Sequence, residues 1–236
     1  MRRRLSRIFY GVASFLTRNL VRLFARLEVV GREHIPTEGP FVLFANHLHL
    51  LDPPLVASLT PRWVRTMAKR ELFETPLVGW IFWAYGAFPV RRFSGDMGAL
   101  RVARNYLRNG DMVLMFPEGT RSHGEGIQPA LPGAAMVALL AHAPLIPVAI
   151  TGTEDISIPK IFFQWIVRRR IHIRIEFGEP FDLESGDTGA RNAEASTDFM
   201  MRRVAVLLPE EYRGVYGEQS AGTIIVSRRT REPGDA

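Results

Sequence analysis

The chain has 236 residues, 47% of them apolar, and carries 30 basic against 24 acidic side chains, a net charge of +6. That length suits one ordinary domain with a single core, and the apolar fraction is that of a globular chain, not of a polytopic membrane protein. The absence of cysteine excludes disulfides, thiolate metal sites and a cysteinyl acyl intermediate, while the arginine-dominated charge, with Lys69 and Lys160 the only lysines, favours membrane phospholipid, a phosphate-bearing substrate or nucleic acid as partner.

Residues 1–25 predict an arginine-studded amphipathic helix. Leu5, Phe9, Val12, Leu16, Leu20 and Leu23 recur at three- and four-residue steps and form one stripe, with Arg4, Arg7, Arg18 and Arg22 on the opposite face. The stripe either packs on its own domain or lies in a membrane interface with the arginines toward anionic headgroups. No signal peptide is expected, because Arg18, Arg22 and Arg26 interrupt any apolar run. No spanning helix is expected either: the longest uncharged stretch, residues 127–153, contains Pro129, Pro132, Pro144 and Pro147.

Residues 27–31 form a short strand and 36–39 a turn. Residues 41–45 have the length of a buried strand, and Asp52 before Pro53 reads as a helix N-cap with proline at the first helical position. Between them lie Asn46, His47 and His49. A strand end facing a helix start is where an open α/β sheet puts its chemistry. His47 and Asp52 are five apart, which on a regular helix separates them by roughly 140°, so a joint role requires the segment to turn back on itself. A histidine held by a carboxylate is a general base of fixed tautomer, suited to deprotonating an alcohol. Two other readings stand beside it: a structural histidine, and a metal site built from His47, His49 and Asp52.

Further on, 52–59 is a helix and 63–68 a strand. Lys69 then opens a helix rich in apolar residues (Phe73, Leu77, Val78, Trp80, Ile81, Phe82, Trp83). Such a run is core, the lining of an acyl pocket, or a surface resting on a bilayer. Lys69 and Arg91, each at a strand end, can reach a phosphate or stay solvated. Residues 94–107 look helical, and the strand 112–116 delivers Glu118, Gly119, Thr120, Arg121 and Ser122 to the same sheet edge as His47. Gly119 permits close approach of backbone to a ligand. Thr120 and Arg121 suit phosphate oxygens, and Glu118 can accept from an acceptor hydroxyl or orient an arginine. A tight turn with a surface salt bridge is the plainer reading of this loop. Residues 133–142 read as a small-residue helix and 145–150 as a buried strand. Aromatics at 162–166 beside the basic cluster 168–170 read as an interfacial contact or a solvated corner. Ile171, Ile173 and Ile175 alternate with polar residues in an edge-strand pattern. Residues 182–192 are a polar loop, 193–208 the last helix, and 217–236 a loose tail.

Four blocks in this chain resemble, in order, those of the glycerolipid acyltransferases, the family of 1-acylglycerol-3-phosphate acyltransferase. They are Asn46-His47 with Asp52, Gly86-Ala87-Phe88-Pro89-Val90-Arg91, Phe116-Pro117-Glu118-Gly119-Thr120-Arg121-Ser122, and Leu145-Ile146-Pro147-Val148-Ala149-Ile150. The resemblance spans roughly residues 27–180, and residues 207–214 are also similar to the family's C-terminal segment. Position 49 departs from it, with His where the family usually has a small hydroxyl residue.

Strands alternating with helices imply an α/β class: a single domain, residues 26–216, with a mainly parallel sheet flanked by helices and preceded by the amphipathic helix 1–25. The resemblance implies transfer of a fatty acyl group from a thioester to the free hydroxyl of lysophosphatidic acid, giving phosphatidic acid in phospholipid biosynthesis. His47 and Asp52 are then catalytic. Lys69, Arg91, Glu118, Gly119, Thr120 and Arg121 bind substrate. No metal or bound cofactor is expected, and acyl-CoA or acyl carrier protein serves as cosubstrate. The expected partner is a phospholipid membrane surface rather than nucleic acid, with the protein peripheral or monotopic on the cytoplasmic face of the cell membrane. Another lyso-lipid acceptor and a metal-dependent hydrolase are the competing activities. A basic binding protein without catalysis accounts for the charge, but not for His47, Asp52, Glu118 and Arg121 all falling at strand ends.

Overall fold

Five short apolar runs, each followed by a helix or a long crossover, can bury both faces only as neighbouring parallel strands under helical cover. The protein, a computed structural model describing residues 2–91, 95–122, 124–157, 170–183 and 193–217 (backbone only for residues 2–4), does this. A helix α1 (Arg2–Phe24) leads directly into β1 (Ala25–Val30). There follow β2 (Phe41–Ala45), α2 (Asp52–Leu59), β3 (Val64–Lys69), α3 (Pro76–Tyr85), β4 (Ala87–Val90), α4 (Met97–Arg108), β5 (Met112–Met115), α5 (Gly133–Ala141), β6 (Leu145–Thr151), β7 (Ile171–Phe177) and α6 (Ala193–Leu207). The expected features at 162–169 and 184–192, the tail from 218, and the side chains of Arg4 and Lys160 lie outside the described residues.

The seven strands form one sheet in the order β1-β7-β6-β2-β5-β3-β4. Strands β6, β2, β5, β3 and β4 run parallel, and β7 meets β6 antiparallel while pairing parallel with β1. The sheet is therefore mainly parallel, as expected from the alternation. Its centre is fully buried: Leu43, Leu114, Ile146 and Val148 face α2 and α1, while Val42, Phe44, Val113 and Leu145 face α5 and α6. The parallel strands all end at one edge, and the loops leaving β2, β3, β4 and β5 meet there.

Two expectations are corrected and a third is narrowed. The helix expected from Lys69 is split, because Lys69 closes β3, residues 70–73 make a short 3-10 turn, and α3 starts only at Pro76. Proline has no N–H to continue a helix and biases Thr75 to extended backbone. β7 is not an edge strand, since β1 covers its free side. Its alternation instead marks a sheet with one wet face, where Glu28, Arg174, Glu176 and His172 form a ladder of ion pairs. Finally, of the three readings left open for the apolar run, core is set aside for the outer side of α3. Leu77 is 70% exposed, Trp80 58% and Trp83 53%.

Candidate active site

The site begins where β2 runs out. Asn46, the residue after the strand, is buried, and its side-chain amide donates to the Ile150 carbonyl and accepts the Ile150 N–H, both at 2.8 Å. The amide thus copies one rung of the sheet ladder and ties the end of β2 to β6. That tether lets the chain leave the sheet plane at His47 without a buried backbone group going unpaired.

The segment then folds back on itself. His47 Nδ1 lies 2.9 Å from Asp52 Oδ2, and the same oxygen accepts the N–H groups of Leu48 and His49, each at 2.7 Å. The sequence suggested that Asp52 caps α2. It occupies the first helical position instead, and its carboxylate points backward to the loop. Pro53 and Pro54 offer it no N–H, and the Leu55 N–H is taken by the Leu51 carbonyl at 2.9 Å. A fully buried carboxylate requires donors, so a neutral His47 carries its proton on Nδ1, toward Asp52, and turns Nε2 away as the acceptor. The ring is 5% exposed and lies 4.4 Å from the Phe116 ring, centre to centre.

The loop after β5 holds the main chain of His47 from both sides. Glu118 Oε1 accepts the His47 N–H at 2.8 Å, and the His47 carbonyl accepts the Ser122 N–H at 2.8 Å. Glu118 Oε2 accepts the Gln128 N–H, also at 2.8 Å. Glu118 is 2% exposed and both its oxygens are engaged by backbone N–H groups, so it braces the His47 main chain and presents no open oxygen. Burial pushes its carboxyl up to about 7, the two N–H donors oppose the shift, and the nearby Asp52 charge adds to it. A raised carboxyl means that the folded state holds its proton more tightly than the unfolded chain does. The associated stability is complete below the ordinary glutamate value and is lost as pH rises through about 7. The melting temperature of wild type relative to Glu118→Gln should accordingly fall between pH 5 and 8, by the equivalent of roughly 1–3 kcal/mol. A difference constant over that range would contradict the assigned shift.

Around this core stand the exposed groups. Gly119 donates to the Phe116 carbonyl and closes the turn, Thr120 is half-buried, and Arg121 is exposed at its outer rim. Lys69 ends the strand two places from β2 and Arg91 follows the strand three places away, about 10 and 14 Å at ordinary strand spacing. Both are exposed. Lys69 pairs loosely with Glu71 at 3.6 Å, and the Arg91 N–H donates to Asp96. Arg121, in the loop that follows β5, the strand next to β2, is thus nearer His47 in the sheet order than Lys69 and Arg91, which form an outer basic rim. His49 Nδ1 accepts the Leu51 N–H at 3.3 Å, so a neutral His49 carries its proton on Nε2. Burial is the main reason its ring is held below the usual histidine value. Among the described residues no group of three or more His, Asp or Glu is placed to hold a metal ion.

A family model described as Acyltransferase matches residues 26–151, which is more than half of the chain. The chain belongs to the acyltransferase family. Human 1-acyl-sn-glycerol-3-phosphate acyltransferase alpha is 33% identical over 133 residues, 55% of this chain and 47% of its own length. The 1-acyl-sn-glycerol-3-phosphate acyltransferase of Bacillus subtilis (strain 168) is 30% identical over 137 residues, 58% of this chain and 68% of its own. The crystal structure of PlsC, the 1-acyl-sn-glycerophosphate (LPA) acyltransferase of Thermotoga maritima, superposes with a TM-score of 0.64 at 26% identity, covering 84% of this chain and 79% of that one. The chain spans about half the length of the mammalian relatives it matches.

Sequence reasoning expected His47, Asp52, Glu118 and Arg121 at one sheet edge, where the structure has them, but missed how they are held. Asn46 was noted only as a neighbour of His47, although a buried Asn at a strand end already suggests a ladder mimic. The Phe116 ring and the Ser122 N–H carry no sequence signal beyond their place in the third block.

Proposed function

We propose that this chain transfers a fatty acyl group from an acyl thioester to the free hydroxyl of 1-acylglycerol-3-phosphate. The observation that carries the reading is the His47–Asp52 pair, whose bonding sets the proton of a neutral ring on Nδ1 and leaves Nε2 to accept, at the same sheet edge as the loop that carries Arg121. Arg121, with Thr120, Lys69 and Arg91 farther out, receives the acceptor phosphate and so fixes the hydroxyl beside the base. Nε2 takes the hydroxyl proton as the oxygen attacks the thioester carbonyl. Asp52 stabilises the imidazolium that results. The tetrahedral intermediate then expels the thiolate, which recovers the proton from His47 and leaves as thiol. Transfer is direct, within a ternary complex, because Glu118 is committed to backbone donors and no cysteine exists to form an acyl-enzyme. Acyl-CoA or acyl carrier protein is the donor, and no metal or bound cofactor takes part. The protein works from the cytoplasmic face of a phospholipid membrane, into which the apolar side of α1 settles.

Arg121→Ala should raise KM for the phosphorylated acceptor about tenfold or more, with kcat little changed, since it removes binding common to ground and transition states. An unchanged KM would place the phosphate elsewhere. The reading as a whole is tested by incubating the protein with radiolabelled acyl-CoA and lysophosphatidic acid on vesicles. Labelled phosphatidic acid is the expected product, with acyl carrier protein as the second donor to try. Failure with both donors across a panel of lyso-lipids would overturn it.

A further inference from the structure

The C-terminal segment 209–217 has no part in the chemistry above, yet it lies against the loop that holds the base. Ile127, fully buried, is gripped at both backbone groups: its N–H donates to the Tyr212 carbonyl at 2.9 Å and its carbonyl accepts the Val215 N–H at 3.1 Å. Three residues on, the Ala130 N–H donates to the Tyr216 hydroxyl at 3.1 Å. Tyr212 donates its own hydroxyl to Glu154, which anchors the segment from the loop after β6. Where the two chains cross, both are glycine. Gly126 and Gly214 have φ of +73° and +48°, and a Cβ on Gly214 would stand 2.3 Å from the Ile127 carbonyl oxygen and 2.5 Å from its nitrogen. Two backbones meet there with no room for a side chain.

The next residue along the gripped strand is Gln128, whose N–H holds Glu118 Oε2, and Glu118 Oε1 holds the N–H of His47. The contacts therefore run without a break from the C-terminal segment through residues 126–130 and Glu118 to the peptide of the base. We infer that residues 212–216 act as a strap that positions His47. They do so by fixing the Gln128 amide against which Glu118 is braced. Gly214, Tyr212 and Tyr216 are positioning residues. None of them needs to touch substrate. Glu118 is held at one oxygen by the His47 N–H that it supports, so its second oxygen needs a donor fixed from elsewhere, which the strap supplies through Gln128.

The role assigned to the strap rests on the acyl-transfer reading, but the coupling does not, so two readouts separate them. In Gly214→Ala the strap is pushed off Ile127. Amide hydrogen exchange at His47 and Gln128 should then speed up by about tenfold or more while the β2–β6 ladder amides, such as Ile146, keep their protection. With lysophosphatidic acid on vesicles, kcat should fall about tenfold at constant acceptor KM. Tyr216→Phe, which removes only the oxygen that accepts from Ala130, should move both readouts in the same direction to a smaller extent and decides the matter if Gly214→Ala fails to fold. Unchanged exchange at His47 and Gln128 overturns the strap, as does a uniform loosening of the whole sheet, which is what a merely structural segment would give. Faster exchange at those two amides in a protein whose wild type transfers no acyl group leaves the strap standing and sinks the proposed function instead.

Discussion

His47→Ala is expected to lower kcat by roughly 10²- to 10⁴-fold, the share of the rate that a positioned general base supplies, with the fold retained. Retention follows from the loop's own bonding. When the ring is gone, Asp52 Oδ2 still accepts the Leu48 and His49 N–H groups at 2.7 Å, so the buried carboxylate keeps two donors and the fold-back survives. The main chain at position 47 likewise keeps Glu118 and Ser122. Catalysis and folding are therefore separable here, which is seldom true of a buried histidine. Asp52→Asn is informative by contrast. All three N–H donors converge on one oxygen, so an amide oxygen in that place can accept them all and the ring keeps its tautomer. What is lost is the negative charge opposite the imidazolium. The expected drop is roughly 10- to 10²-fold, the range of a charge-assisted bond made neutral. Initial rates of phosphatidic acid formation, with circular dichroism to confirm the fold, measure both. Near-normal turnover in His47→Ala would remove the base from the mechanism.

The order of these effects shows which parts of the site a sequence can carry. Spacing alone placed His47 and Asp52 too far apart on a helix to cooperate, and the two prolines supplied the correct hint that no helix lies between them. The carboxylate's direction could not be read, because a capping Asp and a back-bonding Asp have the same sequence context. Which of the two forms depends on whether Leu48 and His49 present their N–H groups. Glu118 was placed at the right edge but given an open role. Its burial is set by Gln128 and His47, residues ten and seventy-one positions away, which no local pattern connects. The strands were legible because five apolar runs of four to seven residues have few alternatives once helices separate them. β7 misled because a period of two reports one wet face and does not tell whether a neighbour sits on the strand's edge.

The second large effect concerns the surface that the sequence left open. α1 turns Tyr10, Ser14 and Val21 to the domain and leaves Leu5, Ile8, Val12, Phe15, Leu16, Leu20 and Leu23 exposed. α3 packs beside it, with Phe9 edge-on to Trp80 at 5.3 Å, and adds Leu77, Trp80, Ile81 and Trp83 to the exposed set. Both helices are pinned to α2, which carries Asp52: the Tyr10 hydroxyl donates to the Ala57 carbonyl and the Tyr85 hydroxyl to the Pro54 carbonyl. Leu50, in the loop between His47 and Asp52, is also exposed. Arg7 and Arg22 are exposed and Arg18 is half-buried, and long basic side chains of this kind can snorkel to headgroups. No helix among the described residues is long and apolar enough to cross a membrane; in the proposed function this surface meets the bilayer interface. Eleven large apolar groups at about 1 kcal/mol or more each are of the same order as the roughly 4–15 kcal/mol that immobilising one partner costs. Putting charge into both helices at once, as Leu16→Glu with Trp80→Glu, removes two of those contributions and opposes the anionic headgroups. Partitioning onto vesicles containing phosphatidylglycerol should fall by roughly 10²-fold or more in a sedimentation assay, and transfer to vesicle-borne acceptor should fall with it. Activity on acceptor below its micelle concentration should persist, because His47, Asp52 and Arg121 are untouched. Undiminished vesicle binding would mean that α1 and α3 face something other than lipid.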